Sequence, residues 1–174
     1  MTSGAKVFVL GGARSGKSQF GLTLCQKLPG KRGFLATCQP LDREMEERIV
    51  RHRKSRDSSW ETIEEYVDLA GRLEKMGEDY RVILVDCLTL WLSNCLVRDV
   101  KEAEMIELIG KLKEVFVRMP VPVVMVSNEV GMGVVPPSPL GRAFRDLQGN
   151  LNQELAANAD EVYLVAAGIP LRLK

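Results

Sequence analysis

A mostly parallel α/β sheet flanked by helices on both faces is the fold this sequence predicts, and three observations carry it. Short apolar runs alternate with amphipathic stretches along the chain, the pattern of repeated strand–helix–strand units. The first run, Val7 to Leu10, leads straight into Gly11-Gly12-Ala13-Arg14-Ser15-Gly16-Lys17-Ser18, which fits G-x-x-x-x-G-K-[ST]. A later run, Arg81 to Asp86 (R-V-I-L-V-D), closes on an acid. Together they predict a P-loop NTPase-type α/β fold, with residues 1–174 forming a single nucleotide-binding domain.

Taken in order, Val7 to Leu10 suits a buried parallel strand. A helix should follow from about Lys17 to Leu28, with Phe20, Leu24 and Leu28 facing the sheet and Pro29-Gly30 ending it. Gly33 to Thr37 reads as a second strand. Leu41 to Arg56 lacks Gly and Pro and places Leu41, Met45 and Ile49 on one stripe, so it should be a helix with a largely polar surface. Glu65 to Met76 reads as another helix, ended by Gly77. After the strand at Arg81 to Asp86 come helices at Thr89 to Leu96 and Ala103 to Arg118, then a buried strand at Val121 to Ser127. Asn128 to Pro139 holds too much Gly and Pro for a regular element. It is either a ligand-side loop at a strand's carboxyl end or a plain connector. Leu140, Phe144, Leu147, Leu151 and Leu155 repeat at helical spacing, and Glu161 to Ala167 and Ile169 to Leu173 finish the chain as short strands about Gly168.

Composition narrows the partners. A net charge of +1 gives no global attraction to nucleic acid or to an anionic membrane. No apolar stretch approaches the ~20 residues of a membrane span. No signal peptide is expected, because Lys6 and Arg14 bracket an apolar run of only four residues. Cys25, Cys38, Cys87 and Cys95 form no C-x-x-C pair, and His52 is the one histidine, so a zinc site is not expected. Four scattered thiols fit a reducing compartment, and Cys87 and Cys95 read as core residues. The expectation is a soluble, cytoplasmic protein.

The chemistry starts at the loop. Its glycines let successive N–H groups turn inward around phosphate oxygens, Lys17 reaches the terminal phosphates, and the Ser18 hydroxyl holds Mg²⁺. Asp86 either caps the next helix or stands beside that Mg²⁺, and a phosphate loop upstream favours the metal side. Asp86-Cys87-Leu88-Thr89 does not fit D-x-x-G, Asn128-Glu129-Val130-Gly131 does not fit N-K-x-D, and L-S-G-G-Q is absent. A guanine-specific switch protein and a transporter ATPase are thereby set aside. His52 lies among Arg51, Arg53, Lys54 and Arg56, and on a helix Arg48, His52 and Arg56 share an edge. Such an edge attracts a triphosphate and disfavours imidazolium, leaving a nucleophilic ring. Read from the residues alone, a solvated histidine on a charged helix is the plainer account.

Six segments in order go further: G-G-A-R-S-G-K-S; A-T-C-Q; M-E-E-R-I-V-R-H-R-K-S-R with W-E-T-I-E; V-D-C-L-T-L-W-L-S-N; S-N-E-V-G-M-G-V-V-P; and A-D-E-V-Y-L-V-A-A-G-I-P. Over nearly its whole length the chain resembles the bifunctional adenosylcobinamide kinase/adenosylcobinamide-phosphate guanylyltransferase family of cobalamin biosynthesis. The resemblance implies two reactions, with GTP and ATP as nucleotide substrates. Adenosylcobinamide is phosphorylated on its aminopropanol hydroxyl. A histidine then takes GMP from GTP and passes it to adenosylcobinamide phosphate, giving adenosylcobinamide-GDP. On this chain the nucleophile falls on His52 and the phosphate loop on Gly11 to Ser18, with Lys17 catalytic. Other nucleotide contacts fall on Thr37, Cys38, Gln39, Arg53, Lys54, Ser55, Arg56, Glu64 and Asp86, with Mg²⁺ on Ser18 and Asp86. Some members carry Glu in place of Asp86 and Ser in place of Cys38. The first keeps a carboxylate, and the second exchanges a hydroxyl for a thiol. The resemblance also implies a homo-oligomer, typically a trimer. Two other readings stay open at this point: a simple P-loop kinase in which His52 does no chemistry, and a non-catalytic, nucleotide-gated binding protein.

Overall fold

The computed structural model describes residues 4–54, 56–98 and 100–174; the side chains of Glu44, Arg48, Arg51, His52, Lys54 and Glu102 lie outside that description. The chain runs β1 (Lys6–Gly11), α1 (Lys17–Gln26), β2 (Arg32–Ala36), α2 (Arg43–Lys54), β3 (Trp60–Glu64), α3 (Leu69–Met76) and β4 (Val82–Asp86). It continues with α4 (Leu88–Val97), α5 (Glu102–Arg118), β5 (Val123–Asn128), α6 (Pro139–Asn158), β6 (Glu161–Ala166) and β7 (Ile169–Arg172). All seven strands form one sheet in the order β3-β2-β4-β5-β1-β6-β7. Every pairing is parallel except β6 with β7. The carboxyl ends of β1 to β6 therefore lie along a single edge.

Strand alternation divides the core into two layers. Val7, Val9, Phe34, Val82, Leu84, Val124 and Val126 pack with Leu22, Leu24 and Cys25 of α1 on one face. Phe8, Leu35, Ile83, Val85, Val123 and Met125 pack with α3, α4, α5 and α6 on the other. This is the expected α/β sheet covered on both sides. Near-continuous apolar runs in β1, β4 and β5 follow from burial on both faces.

Several boundaries differ from expectation, each for a local reason. Trp60 to Glu64 is an edge strand without a clear sequence signature. Its alternating polar residues and single buried position, Ile63, suit an edge exposed on one side. The helix expected from Glu65 begins at Leu69. The Glu65 carboxylate accepts from the N–H groups of Tyr66, Val67 and Asp68 and holds them in a turn, and Asp68 then caps α3 by accepting from Gly71 N at 3.0 Å. α1 stops at Gln26, before Leu28, where Arg32 donates to the terminal carbonyls of Cys25, Gln26 and Leu28. Its buried face is Gly21, Leu22, Leu24 and Cys25, while Phe20 is half-buried against Tyr163. Leu41 and Leu140, expected on apolar stripes, are exposed. Cys87 and Cys95 are buried as expected, and so is Cys25. Burial pushes the Cys25 thiol up to about 12 and Cys95 up to about 11.

Gly21 lets α1 lie close on the sheet. A β-carbon there would come within 3.1 Å of Leu84 and 3.2 Å of Val126. Gly21→Leu should therefore lower stability in urea denaturation by about 1–3 kcal/mol through overpacking. An unchanged midpoint would mean that α1 can lift from the sheet without loss.

Candidate active site

The phosphate loop is held open by its own backbone. Gly16 takes φ 94° at the start of α1, and Arg14 is also left-handed at φ 56°. A β-carbon on Gly11 would fall 2.4 Å from the Ser15 hydroxyl oxygen and 2.5 Å from the Val165 carbonyl oxygen. One on Gly16 would meet Gly168 at 3.2 Å. Gly168, in the turn between β6 and β7, donates its N–H to Ser15 O at 2.8 Å, so this hairpin braces the loop from outside. Lys17 is buried and its Nζ donates to Gly12 O at 3.0 Å, folding the ammonium over the loop. Gly12, Ala13 and Arg14 are exposed, Ser18 is half-buried, and the Ser15 hydroxyl is buried with no hydrogen-bond partner.

Beside the loop, strand ends deliver the other predicted residues. Asp86 ends β4 half-buried, on the α1 face with Val82 and Leu84. Thr37 follows β2 and is fully buried. Its hydroxyl donates to Cys87 O at 2.7 Å and accepts from Cys87 N at 2.9 Å. What Thr37 contributes is therefore the position of the Cys38–Gln39 turn and of the chain after Asp86. Asn94 of α4 secures the same turn by donating to Thr37 O at 2.8 Å. Cys38 and Gln39 are half-buried.

A solvent-open cleft lies between α2 and the carboxyl ends of β2, β3 and β4. Ile49 and Arg53 come from α2, Phe34, Ala36 and Cys38 from β2 and its end, Thr62 and Glu64 from β3, and Asp86 and Cys87 from β4 and its end. Arg53 forms an ion pair with Glu64, whose other oxygen accepts from the Tyr66 hydroxyl at 2.8 Å. The Arg56 guanidinium stacks on Phe34 at 3.7 Å and donates through Nη2 to Thr62 at 3.1 Å. Its Nη1 is buried without a partner. Burial, and then the neighbouring Arg53, lower the Arg56 pKa, while Asp86 opposes them. That environment favours an acceptor or an anion from a ligand. The structure thus brings Arg53, Arg56, Glu64, Asp86 and Cys38 together. His52 lies on α2 next to Arg53, with its side chain outside the described residues, as is that of Lys54; Ser55 lies outside them altogether.

A polar cluster beside the loop was not singled out from the sequence. Ser127, Gln148 and Asn152 are buried between β5 and α6 and bonded to one another. A serine at a strand end and two amides four residues apart on α6 were the only signal, and only the fold shows that they meet. Among the described residues no three metal-ligating side chains of His, Cys, Asp or Glu gather, and no helix is long and apolar enough to cross a membrane.

The family model described as cobinamide kinase / cobinamide phosphate guanyltransferase matches residues 7–173. The chain belongs to this family. It is 40% identical to the bifunctional adenosylcobalamin biosynthesis protein CobP of Pseudomonas aeruginosa, covering 95% of each chain. It is 39% identical to the bifunctional adenosylcobalamin biosynthesis protein CobU of Escherichia coli, over 97% of this chain and 99% of that one. A solved ATPase from a bacterial type III secretion system is similar with a TM-score of 0.60 at 14% identity. That likeness covers 98% of this chain and 57% of the ATPase, and it shows a shared fold.

Thr37 offers a test of how the cleft is positioned. Thr37→Val keeps the shape but deprives the buried Cys87 N–H of its acceptor, so urea stability should drop by about 1–3 kcal/mol. Thr37→Ser should recover most of it. A loss in Thr37→Ser with none in Thr37→Val would assign the effect to the methyl group instead.

Proposed function

We propose that this chain performs both reactions of its family: phosphorylation of adenosylcobinamide, and transfer of GMP from GTP to the phosphorylated product through His52. The observation that carries the proposal is one shared sheet edge. The phosphate loop and the cleft of Arg53, Arg56, Glu64 and Asp86 open along it, and the helix that supplies Arg53 also bears His52. The cytoplasmic location and the trimer implied by resemblance belong to the same reading.

In the first reaction the loop amides and Lys17 hold the triphosphate, and the substrate hydroxyl takes its terminal phosphoryl group. Ser18 and Asp86 suit Mg²⁺, because both offer hard oxygen donors. An ion that takes its remaining ligands from phosphate and water needs no larger protein cluster. Bound there, Mg²⁺ would neutralise phosphate charge during transfer. In the second reaction an imidazole nitrogen of His52 attacks the α-phosphorus of GTP. The P–N bond forms as the bond to pyrophosphate breaks. A phosphate oxygen of adenosylcobinamide phosphate then displaces the histidine, so one difficult displacement becomes two. Arg53 and Arg56 supply positive charge beside the transferred group, and Glu64 holds Arg53 in place.

GTP labelled at the α-phosphate tests the proposal. The wild-type chain should become covalently labelled, and the label should be lost in acid and kept in alkali, as a phosphoramidate requires. His52→Ala should carry no label yet still phosphorylate adenosylcobinamide. An acid-stable adduct, or one that persists in His52→Ala, would place the nucleophile elsewhere. Guanylylation by the wild type should decline at low pH as the imidazole protonates.

The single phosphate loop generates a companion test. Lys17→Ala should depress both activities together, by roughly 10- to 150-fold in nucleotide binding. One activity surviving intact would require a second nucleotide site.

A further inference from the structure

We infer that the uncharged segment from Met132 to Leu140 is the surface on which the corrinoid substrate rests while its hydroxyl is phosphorylated. The inference rests on the kinase reading above and gives the second substrate a place. Asn128 to Pro139 reads in sequence as either a ligand-side loop or a plain connector, and three features of the structure separate the two.

The first is order. Where β5 stops, Asn128 N donates to the Thr89 hydroxyl of α4 at 2.8 Å, and Asn128 O accepts from Asn152 of α6 at 3.1 Å. Glu129 N donates to Gly11 O at 3.1 Å, which ties the start of the segment to the phosphate loop. The Glu129 carboxylate accepts from Gly131 N and, at 3.0 Å, from Met132 N. Arg142 reaches back from α6 to the carbonyls of Pro136 and Pro137 at 3.2 and 2.8 Å, and the Ser138 hydroxyl accepts from Gly141 N at 3.1 Å. Both charges that flank the segment are thus engaged on its own backbone.

The second is what the segment shows to solvent. Val134 is 95% exposed and Met132 81%, and Val135 and Leu140 are exposed beside them. No residue from 130 to 141 is charged, in a chain that is 27% charged. A solvated connector normally keeps polar side chains outward. One that fixes its backbone with its polar groups and presents four apolar side chains has the make-up of a contact surface.

The third is position, which says what covers that surface. The segment leaves the sheet between the phosphate loop and Asp86. The β6–β7 hairpin braces the loop's other flank through Gly168 N and Ser15 O. The cleft under α2 holds the charged groups that suit a nucleotide, Arg53 and Arg56 among them. An uncharged segment offers phosphate nothing, whereas apolar contact suits a broad macrocycle with methyl-bearing faces and neutral amide arms. The hydroxyl to be phosphorylated sits on a short aminopropanol arm, so the ring body must lie close beside the phosphate loop. Met132 to Leu140 supplies an apolar rest there.

Steady-state phosphorylation of adenosylcobinamide by the full chain tests the inference, together with calorimetric titration of an ATP analogue bearing an imido bridge between its β- and γ-phosphates. The double variant Met132→Ser, Val134→Ser should raise KM for adenosylcobinamide about 10-fold or more and leave affinity for the analogue nearly unchanged. Both side chains are so exposed that the fold does not depend on them, and analogue binding checks this. Met132→Leu with Val134→Ile keeps an apolar surface and should hold KM near the wild-type value. An unchanged KM in the serine variant, or an equal loss of analogue affinity, would overturn the inference. So would a serine variant that sediments as a different oligomer, because the segment would then be a contact between copies of the chain. A wild-type chain that bound the analogue but phosphorylated no adenosylcobinamide would overturn the kinase reading and this inference with it.

Discussion

The close seat of α1 on the sheet is the constraint on which the rest of the structure depends. Gly21 brings the helix within contact distance of Leu84 and Val126, and those residues lie on the strands that end in Asp86 and Asn128. The helix start, with Lys17 and Ser18, is thereby set against the same sheet edge as both strand ends. A helix N-terminus gathers free N–H groups and the positive end of its dipole, so an anion is favoured where this constraint places it. Arg32 satisfies carbonyls at the opposite end of the helix, through contacts with Cys25, Gln26 and Leu28.

Most of the strands were legible in the sequence because burial on both faces demands unbroken apolar runs, as in Val82 to Val85. The phosphate loop was legible because few other patterns place Gly16 and Lys17 after a strand. Trp60 to Glu64 was not, since an edge strand with one buried residue has little periodicity to read. The turn at Glu65, which delays the start of α3 to Leu69, was not legible either. A carboxylate that gathers three backbone N–H groups looks in sequence like any acid in the first turn of a helix.

The site divides in a similar way. Asp86 is legible from its place at the end of an apolar run and Arg53 and Arg56 from the basic run around His52, whereas Glu64 stands out only through the family resemblance. Asn128 was read only as part of a Gly- and Pro-rich loop. Its partners Thr89, Gln148 and Asn152 lie far from it in the chain, and only sheet order and helix packing bring them together. Sequence carries local geometry well, but polar networks between distant elements leave no spacing to recognise.

The four thiols are sorted by the same sheet edge. Cys25 and Cys95 are interior groups that burial holds far from ionisation, and Cys87 is buried beside Thr37. Cys38 alone among them is half-exposed, and it forms part of the cleft wall. Thiolate, rather than thiol, reacts with electrophiles and oxidants, so attack on the folded chain is channelled to the cleft. The protein thus carries a built-in chemical reporter in the cleft wall, and any ligand seated there would shield it.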